Sequence, residues 1–255
     1  MCTVSWLRQV DGYVLFCNRD ERNTRKTAAG PRLRQRRGVC YIAPVDGDHG
    51  GSWIGVNQVG LTLCLLNQYT DWNPDPDQKY TSRGLLLTSM LDADTCAQVH
   101  SRLLMTDLEK FPPFTLAAFS TEQPLMQIDW TGREFRVQFD AETGVPLTSS
   151  SREQPQLTAV RREQFRRLLY GADGVDVSLL EQFHRSHLPK RGPVSVCMHR
   201  EDAATVSMSV VTVGPEKIEF VYHPASPCVT ATPEKVVLKK ADKLQFPALS
   251  ERATA

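Results

Sequence analysis

The fold is indicated first by residues 1–21, which read MCTVSWLRQVDGYVLFCNRDE. Two runs rich in β-branched and aromatic residues, 2–7 and 13–18, flank the turn dipeptide Asp11-Gly12. Runs of this kind on either side of Asp-Gly are typical of a β-hairpin. The sequence therefore predicts two antiparallel strands, with Cys2 at the start of the first.

Strand-like and helix-like patterns then follow in blocks. Apolar residues at spacings of three and four predict helices over residues 82–91, 93–105, 158–170 and 177–187. Further strands are predicted over residues 52–57, 61–66, 114–119, 125–130, 134–139, 194–198, 204–213 and 217–223. Because strands open and close the chain without regular β-α alternation, we expect an α+β fold with largely antiparallel sheets. One domain over residues 1–240 and a loosely attached tail over 241–255 are the simplest organisation.

Residues 19–37 are strongly basic, with eight Arg or Lys and two acidic residues. They are predicted to form a solvated connector. The alternative is a rim that attracts an anionic ligand near a site. The segment lacks interleaved aromatic residues, so binding to single-stranded nucleic acid is not expected.

The composition excludes several classes of protein. Among 255 residues, 41% are hydrophobic and 23% charged, and the net charge is +1, so no global field favours nucleic acid. The sequence contains no apolar run of about 18 residues, so insertion into a membrane is not predicted. Residues 1–6 do not resemble a signal peptide. Seven scattered cysteines indicate reduced thiols and a cytoplasmic protein.

Cys2 is the sharpest chemical feature. Its small side chain permits removal of Met1, which would place a free α-amine beside the thiol. An α-amine has a pKa of about 7.7–8.0, so near neutral pH a useful fraction could accept the thiol proton. The alternative is an ordinary structural cysteine.

Four ordered motifs resemble those of the NRDE family, of the transport and Golgi organisation type. They are Asn18-Arg19-Asp20-Glu21, Gly50-Gly51-Ser52-Trp53-Ile54-Gly55-Val56, Leu65-Leu66-Asn67-Gln68-Tyr69 and Ser82-Arg83-Gly84. The segment from Ser195–Arg200 to Cys228 is also similar. The resemblance extends to cysteine-type choloylglycine and penicillin V acylases. It implies an N-terminal-nucleophile hydrolase fold, a four-layer αββα sandwich.

The resemblance also implies roles for particular residues. Cys2 would be the nucleophile, Asp20 and Arg19 would hold its amine, and Asn67 would donate to the oxyanion. Asn18 belongs to the same tetrapeptide and is included in the candidate site. Serine stands at Ser149 where the acylases have a second Asn, which would shorten that hydrogen-bond donor. Arg200 is a candidate for an arginine near the amine. Asp20 and Arg19 forming a strand-end ion pair, and Asn67 capping a turn, are the structural alternatives.

Two functions follow from the resemblance. The first is a hydrolase that cleaves a linear amide, a non-peptide C–N bond, and requires no cofactor. The alternative is a non-enzymatic protein that binds or traffics haem, with Cys2, His49, His199 or His223 as candidate contacts. The predicted partner is accordingly a small-molecule amide or haem. His184 and His187 lie one helical turn apart, but the spacing supplies no third ligand, so no metal site is predicted.

Overall fold

The computed structural model describes residues 2–151, 154–170 and 176–241, and within them thirteen strands form two antiparallel sheets. The predicted hairpin is present, but its two turn residues are Val10 and Asp11: the strands pair from Cys2↔Arg19 to Gln9↔Gly12, so Gly12 is the first residue of the second strand. The first sheet has the order β10-β1-β2-β11-β12-β13. Its strands are β1 (Cys2–Gln9), β2 (Gly12–Arg22), β10 (Leu147–Ser149), β11 (Ala203–Val213), β12 (Lys217–His223) and β13 (Glu234–Lys239).

The second sheet is a seven-stranded meander in which each strand pairs with the next along the chain. Its strands are β3 (Ala29–Arg36), β4 (Val39–Val45), β5 (Ile54–Asn57), β6 (Thr62–Asn67), β7 (Phe114–Phe119), β8 (Met126–Trp130) and β9 (Phe135–Gln138). Gly60 has a positive φ of 79° in the tight turn between β5 and β6, a conformation that favours glycine.

Four helices cover the outer faces of the sheets. They are α1 (Arg83–Met90), α2 (Cys96–Leu104), α3 (Gln154–Tyr170) and α4 (Val177–Arg185). The Thr95 and Asp176 side chains accept hydrogen bonds from the first turns of α2 and α4, which satisfies backbone groups that a helix start leaves free. None of the described helices is long and apolar enough to cross a membrane.

The buried apolar residues fall into layers. The largest cluster lies between the sheets and includes Val4, Leu15, Ile54 and Phe119. A second packs α1 and α2 on the second sheet, and a smaller one packs Leu180 of α4 on the first sheet. The order of layers is helices, sheet, sheet, helices, so the αββα expectation is confirmed.

Three local predictions were wrong. The basic connector forms a loop only over residues 23–28, because β2 continues to Arg22 and β3 occupies Ala29–Arg36, where exposed arginines alternate on an edge strand. The predicted strand over 194–198 is absent; there the chain bends. No strand was predicted after residue 223, yet β13 forms there and pairs with β12. The predicted tail over 241–255 lies, from residue 242 on, outside the described residues.

Candidate active site

Cys2 is the first described residue of β1 and lies between two partner strands. Its backbone pairs with Arg19 of β2 on one side and with Ser149 of β10 on the other. Because side chains alternate along a strand, Cys2, Val4 and Trp6 all face the core between the sheets. The thiol therefore points into the apolar core between the sheets.

A cavity of about 630 Å³ opens at this end of the two sheets and reaches Cys2. A volume of this size is typical of small-molecule sites. Its walls are mainly polar, and both sheets contribute to them. Among the lining residues are Cys2, Arg19, Asp20, Trp53, Asn67 and Arg83. Four of the predicted site residues thus share one cavity.

The nitrogen and the thiol of Cys2 have different surroundings. The backbone nitrogen donates a hydrogen bond to the Ser149 hydroxyl oxygen at 3.1 Å. The thiol is hydrogen-bonded to the Cys17 side chain, and this contact together with burial raises the pKa of Cys2 well above its ordinary value. The resting thiol is therefore protonated, and a base must remove its proton before it can attack a carbonyl.

Asp20 is buried beside the Cys2 end of the hairpin. Its Oδ1 accepts a hydrogen bond from the Thr205 hydroxyl at 2.6 Å, and its Oδ2 lies 3.9 Å from Arg161 Nη1. Burial raises the pKa of Asp20 above its ordinary value, while the positive charges of Arg161 and Arg200 act in the opposite direction. The carboxylate is thus held in place by polar partners in a region that is otherwise costly for charge.

Arg19 is fixed by partners on the opposite sheet. Its Nη2 lies 2.6 Å from Asp46 Oδ2, and its guanidinium stacks 4.3 Å from the centre of the Trp53 ring. Burial opposes ionisation of Asp46, but the backbone N–H of His49 and the Arg25 and Arg19 guanidinium groups keep its pKa below the ordinary value. Arg19 therefore forms a rigid part of the cavity wall.

Asn67 ends β6 and lies where two cavities meet. It lines the main cavity and also a smaller one of about 390 Å³ that Ser149 lines. Within the described part of the chain, its Nδ2 donates one long hydrogen bond, at 3.5 Å, to the Tyr69 hydroxyl. An amide donor with one weak partner, close to a thiol, is suited to bind a developing oxyanion.

Asn18 and Arg200 do not line either cavity. Asn18 faces the helix side of the sheet, where its Nδ2 donates to the His184 and Val196 carbonyl oxygens at 2.9 and 3.2 Å. Its contacts are those of a structural residue that joins β2 to α4. The Arg200 guanidinium pairs with Asp202 at 3.0 Å, and its positive charge acts to lower the pKa of Asp20.

Two arginines were missed by the sequence analysis as site residues. Arg161 of α3 is 1% exposed and donates hydrogen bonds to the Ser195 carbonyl oxygen and the Thr3 hydroxyl. It occupies the middle of an otherwise apolar stripe, Leu157, Arg161 and Phe165, and that spacing was the signal. Arg83 was noted only within a motif; it lines the cavity, and its Nη1 donates to the Pro113 carbonyl oxygen at 2.8 Å.

The four haem candidates are spread over two places. Cys2 and His49 line the main cavity, whereas His199 and His223 do not. Two of the four haem candidates, Cys2 and His49, therefore share the main cavity.

Three solved structures are similar to this chain over most of their length. The penicillin V acylase from Agrobacterium tumefaciens has a TM-score of 0.57 at 12% identity, covering 92% of this chain and 86% of that one. A variant of the conjugated bile acid hydrolase from Clostridium perfringens has a TM-score of 0.57 at 10% identity, covering 92% of each chain.

The third is the Caenorhabditis elegans N-acylethanolamine-hydrolyzing acid amidase ortholog, with a TM-score of 0.55 at 13% identity. It covers 82% of this chain and 92% of that one. At these identities the likeness shows the fold alone. No curated protein sequence matches the chain significantly.

The sequence motifs point to a narrower relationship than the fold does. The family model described as Transport and Golgi organisation 2 matches residues 1–170 of the 255. That range contains the hairpin, the glycine-rich block, Asn67 and most of the cavity wall. The chain therefore belongs to the Transport and Golgi organisation 2 family and has an N-terminal-nucleophile hydrolase fold.

Proposed function

We propose that this protein hydrolyses a C–N bond in a linear amide, with Cys2 as the nucleophile after removal of Met1. The observation that carries the proposal is that Cys2, Asp20 and Asn67 meet at one cavity. The hydrolase names of the structural neighbours agree with this chemistry, although those proteins share only the fold with this chain.

Because the pKa of the Cys2 thiol is raised, the thiol needs a nearby base to accept its proton. In the processed chain the nitrogen of Cys2 is an α-amine, and its contact with the Ser149 hydroxyl at 3.1 Å would orient it. The neutral amine takes the thiol proton, and the sulfur attacks the substrate carbonyl. Asp20, at the same strand end, stabilises the ammonium that forms.

The remaining steps require an oxyanion donor and a proton donor. Asn67 Nδ2 donates to the oxyanion of the tetrahedral intermediate. The ammonium returns its proton to the leaving nitrogen, the C–N bond breaks, and the acyl group stays on sulfur as a thioester. Water then attacks the thioester with the amine as base, which releases the carboxylic acid and restores the thiol.

The cellular setting we propose is the cytoplasm. All seven cysteines are free, including the exposed Cys228. Reduced thiols are typical of that compartment.

The first test is the intact mass of the full chain before and after an amide- or ester-based acylating probe at pH 7. We expect loss of Met1 and one acyl group on the wild type, because only Cys2 combines a thiol with its own base. Cys2→Ala should carry no label. Cys40→Ala, which removes a half-buried thiol outside the cavity, should be labelled like the wild type.

Peptide mapping is needed because Cys228 is exposed and reacts with unselective reagents. Retained Met1, or labelling that Cys2→Ala does not change, would contradict the hydrolase proposal. A haem titration then tests the alternative function. Haem binding that persists in Cys2→Ala would support a carrier on the same scaffold.

A further inference from the structure

A second group of reactive side chains lies away from the cavity. It consists of His187, Cys197, His199 and Cys228, and we call it the His–Cys cluster. One donor atom from each residue lies within 4.8 Å of all the others. None of the four residues lines either cavity around Cys2.

The three distances from His199 to the other members of the cluster match those between ligands of one small ion. His199 Nε2 lies 3.2 Å from His187 Nε2, 3.5 Å from Cys197 Sγ and 3.5 Å from Cys228 Sγ. With Zn–N of about 2.0–2.1 Å and Zn–S of about 2.3 Å, a tetrahedral site places two nitrogens about 3.3 Å apart and nitrogen and sulfur about 3.5 Å apart.

Hydrogen bonding alone does not explain this packing. A ring nitrogen of histidine either donates one hydrogen or accepts through one lone pair. His199 Nε2 has three close polar neighbours, of which it can satisfy one. A cation among the four donor atoms would be bound by all of them. We propose that the His–Cys cluster is a Cys₂His₂ site for a divalent metal ion, and that the ion is Zn²⁺.

The backbone holds the cluster in position without a metal. His187 follows the end of α4, and the Cys197 amide donates to the Ser186 carbonyl oxygen at 3.0 Å. The His199 amide donates to the Gly192 carbonyl oxygen at 3.1 Å. Arg191 Nη2 lies 3.4 Å from His199 Nδ1. When His199 Nε2 binds the metal ion, Nδ1 carries the ring hydrogen and cannot accept from Arg191, so the exposed Arg191 side chain turns to solvent.

Four protein ligands complete a tetrahedral shell, which is typical of structural rather than catalytic zinc. The ion would join the end of α4, the segment before β11 and the segment after β12. That middle segment also supports Asp20: the Met198 amide donates to Thr205 Oγ1 at 2.8 Å, and that hydroxyl donates to Asp20. Metal binding would therefore steady one support of the candidate active site.

The test uses the full chain, reduced, stripped with a chelator and then dialysed against a low, buffered concentration of free Zn²⁺. We expect one zinc per chain by elemental analysis. Substitution by Co²⁺ should give the visible absorption of a tetrahedral ion and a thiolate charge-transfer band. Cys228→Ser and His187→Gln should each weaken binding by more than the tenfold to about hundredfold loss typical of removing an outer partner. Cys40→Ser and His100→Gln, outside the cluster, should bind like the wild type.

Several results would overturn the proposal. One is the absence of stoichiometric zinc in the reduced wild type, and another is a Co²⁺ spectrum without a thiolate band. A third is equal affinity in the cluster variants and the controls. A Cys197–Cys228 disulfide that forms in place of metal binding would also contradict it. The Co²⁺ spectrum needs only the wild type, so it decides the matter even where a variant fails to fold.

Discussion

The two faces of the first hairpin differ in how many polar groups they bury. Toward the second sheet, β1 and β2 present Val4, Trp6 and Leu15 to the apolar core. Toward the helices, the same strands present Thr3 and Asp20, among other buried polar groups. Both faces are shielded from water. The first is stabilised mainly by burial of apolar area, whereas the second combines directed polar contacts with the packing of Val14 and Phe16 on α4.

Because of this difference, substitutions on the two faces should have different consequences. Apolar side chains between the sheets can exchange for others of similar volume at modest cost. Polar groups on the helix face have specific hydrogen-bond partners. Removing one polar group leaves its partner buried without a hydrogen bond. Cys2 lies at the start of β1. Its thiol faces the apolar core, whereas its nitrogen is close to the polar groups around Asp20.

The largest effect is expected at Arg161. Arg161→Met keeps the length of the side chain but removes the guanidinium 3.9 Å from Asp20 and its hydrogen bond to the Ser195 carbonyl oxygen. Breaking a buried pair in this way costs about 3–5 kcal/mol of unfolding free energy, measured by urea denaturation.

Asp20→Asn supplies the matched control for Arg161. In the double variant the buried charge is also gone, so part of the loss should return. Strict additivity of the two single changes would show that Arg161 acts only through its other contacts.

A pH-dependent effect is expected at His184. Burial, with the Arg161 charge, lowers the pKa of His184 to about 3, while the unfolded chain keeps an ordinary value near 6.5. The unfolded state therefore binds more protons between these values. The contribution of His184 to the free energy of unfolding is fully present above pH 6.5. It falls by about 1.4 kcal/mol for each pH unit below that value.

His184→Gln tests this slope because glutamine does not titrate and can still contact the Ser5 hydroxyl, which lies 2.8 Å from His184 Nε2. The difference in stability between wild type and variant should shrink as the pH falls from 6.5 to 5. A constant difference across that range would contradict the assignment.

The smallest effect is expected between the sheets. Ile54→Val removes one methylene from a fully buried side chain and should cost about 1 kcal/mol, independent of pH, in the same denaturation assay. A cost as large as that at Arg161 would mean that the apolar face is as specific as the polar one.

Much of the fold could be predicted from local patterns. The hairpin around Asp11-Gly12, the helices α1 and α2, and strands such as β7 carry turn, periodicity and β-propensity signals of their own. Four strands were not predicted. Of these, β4 (Val39–Val45) does carry β-branched and aromatic residues, whereas β3, β10 and β13 lack such signals. Arginines dominate β3, β10 is three residues long, and β13 follows a Pro-rich stretch; each forms because a neighbouring edge offers hydrogen bonds.

The candidate site was predicted in part. Cys2, Arg19, Asp20 and Asn67 were named from sequence and share a cavity. Ser149 proved to contact the Cys2 nitrogen, a pairing that depends on β10 adding beside β1. Asn18 is one residue from Arg19, but the alternation of the strand turns it to the helix face.

The sequence by itself determined the family, the hairpin and the chemical identity of the candidate nucleophile, because these depend on residues adjacent along the chain. Only the tertiary structure decided which distant residues meet. Arg161 is 141 residues from Asp20 in sequence (161 − 20), and the His–Cys cluster draws on residues from 187 to 228. Such contacts follow from sheet order and layer packing, which no local pattern encodes.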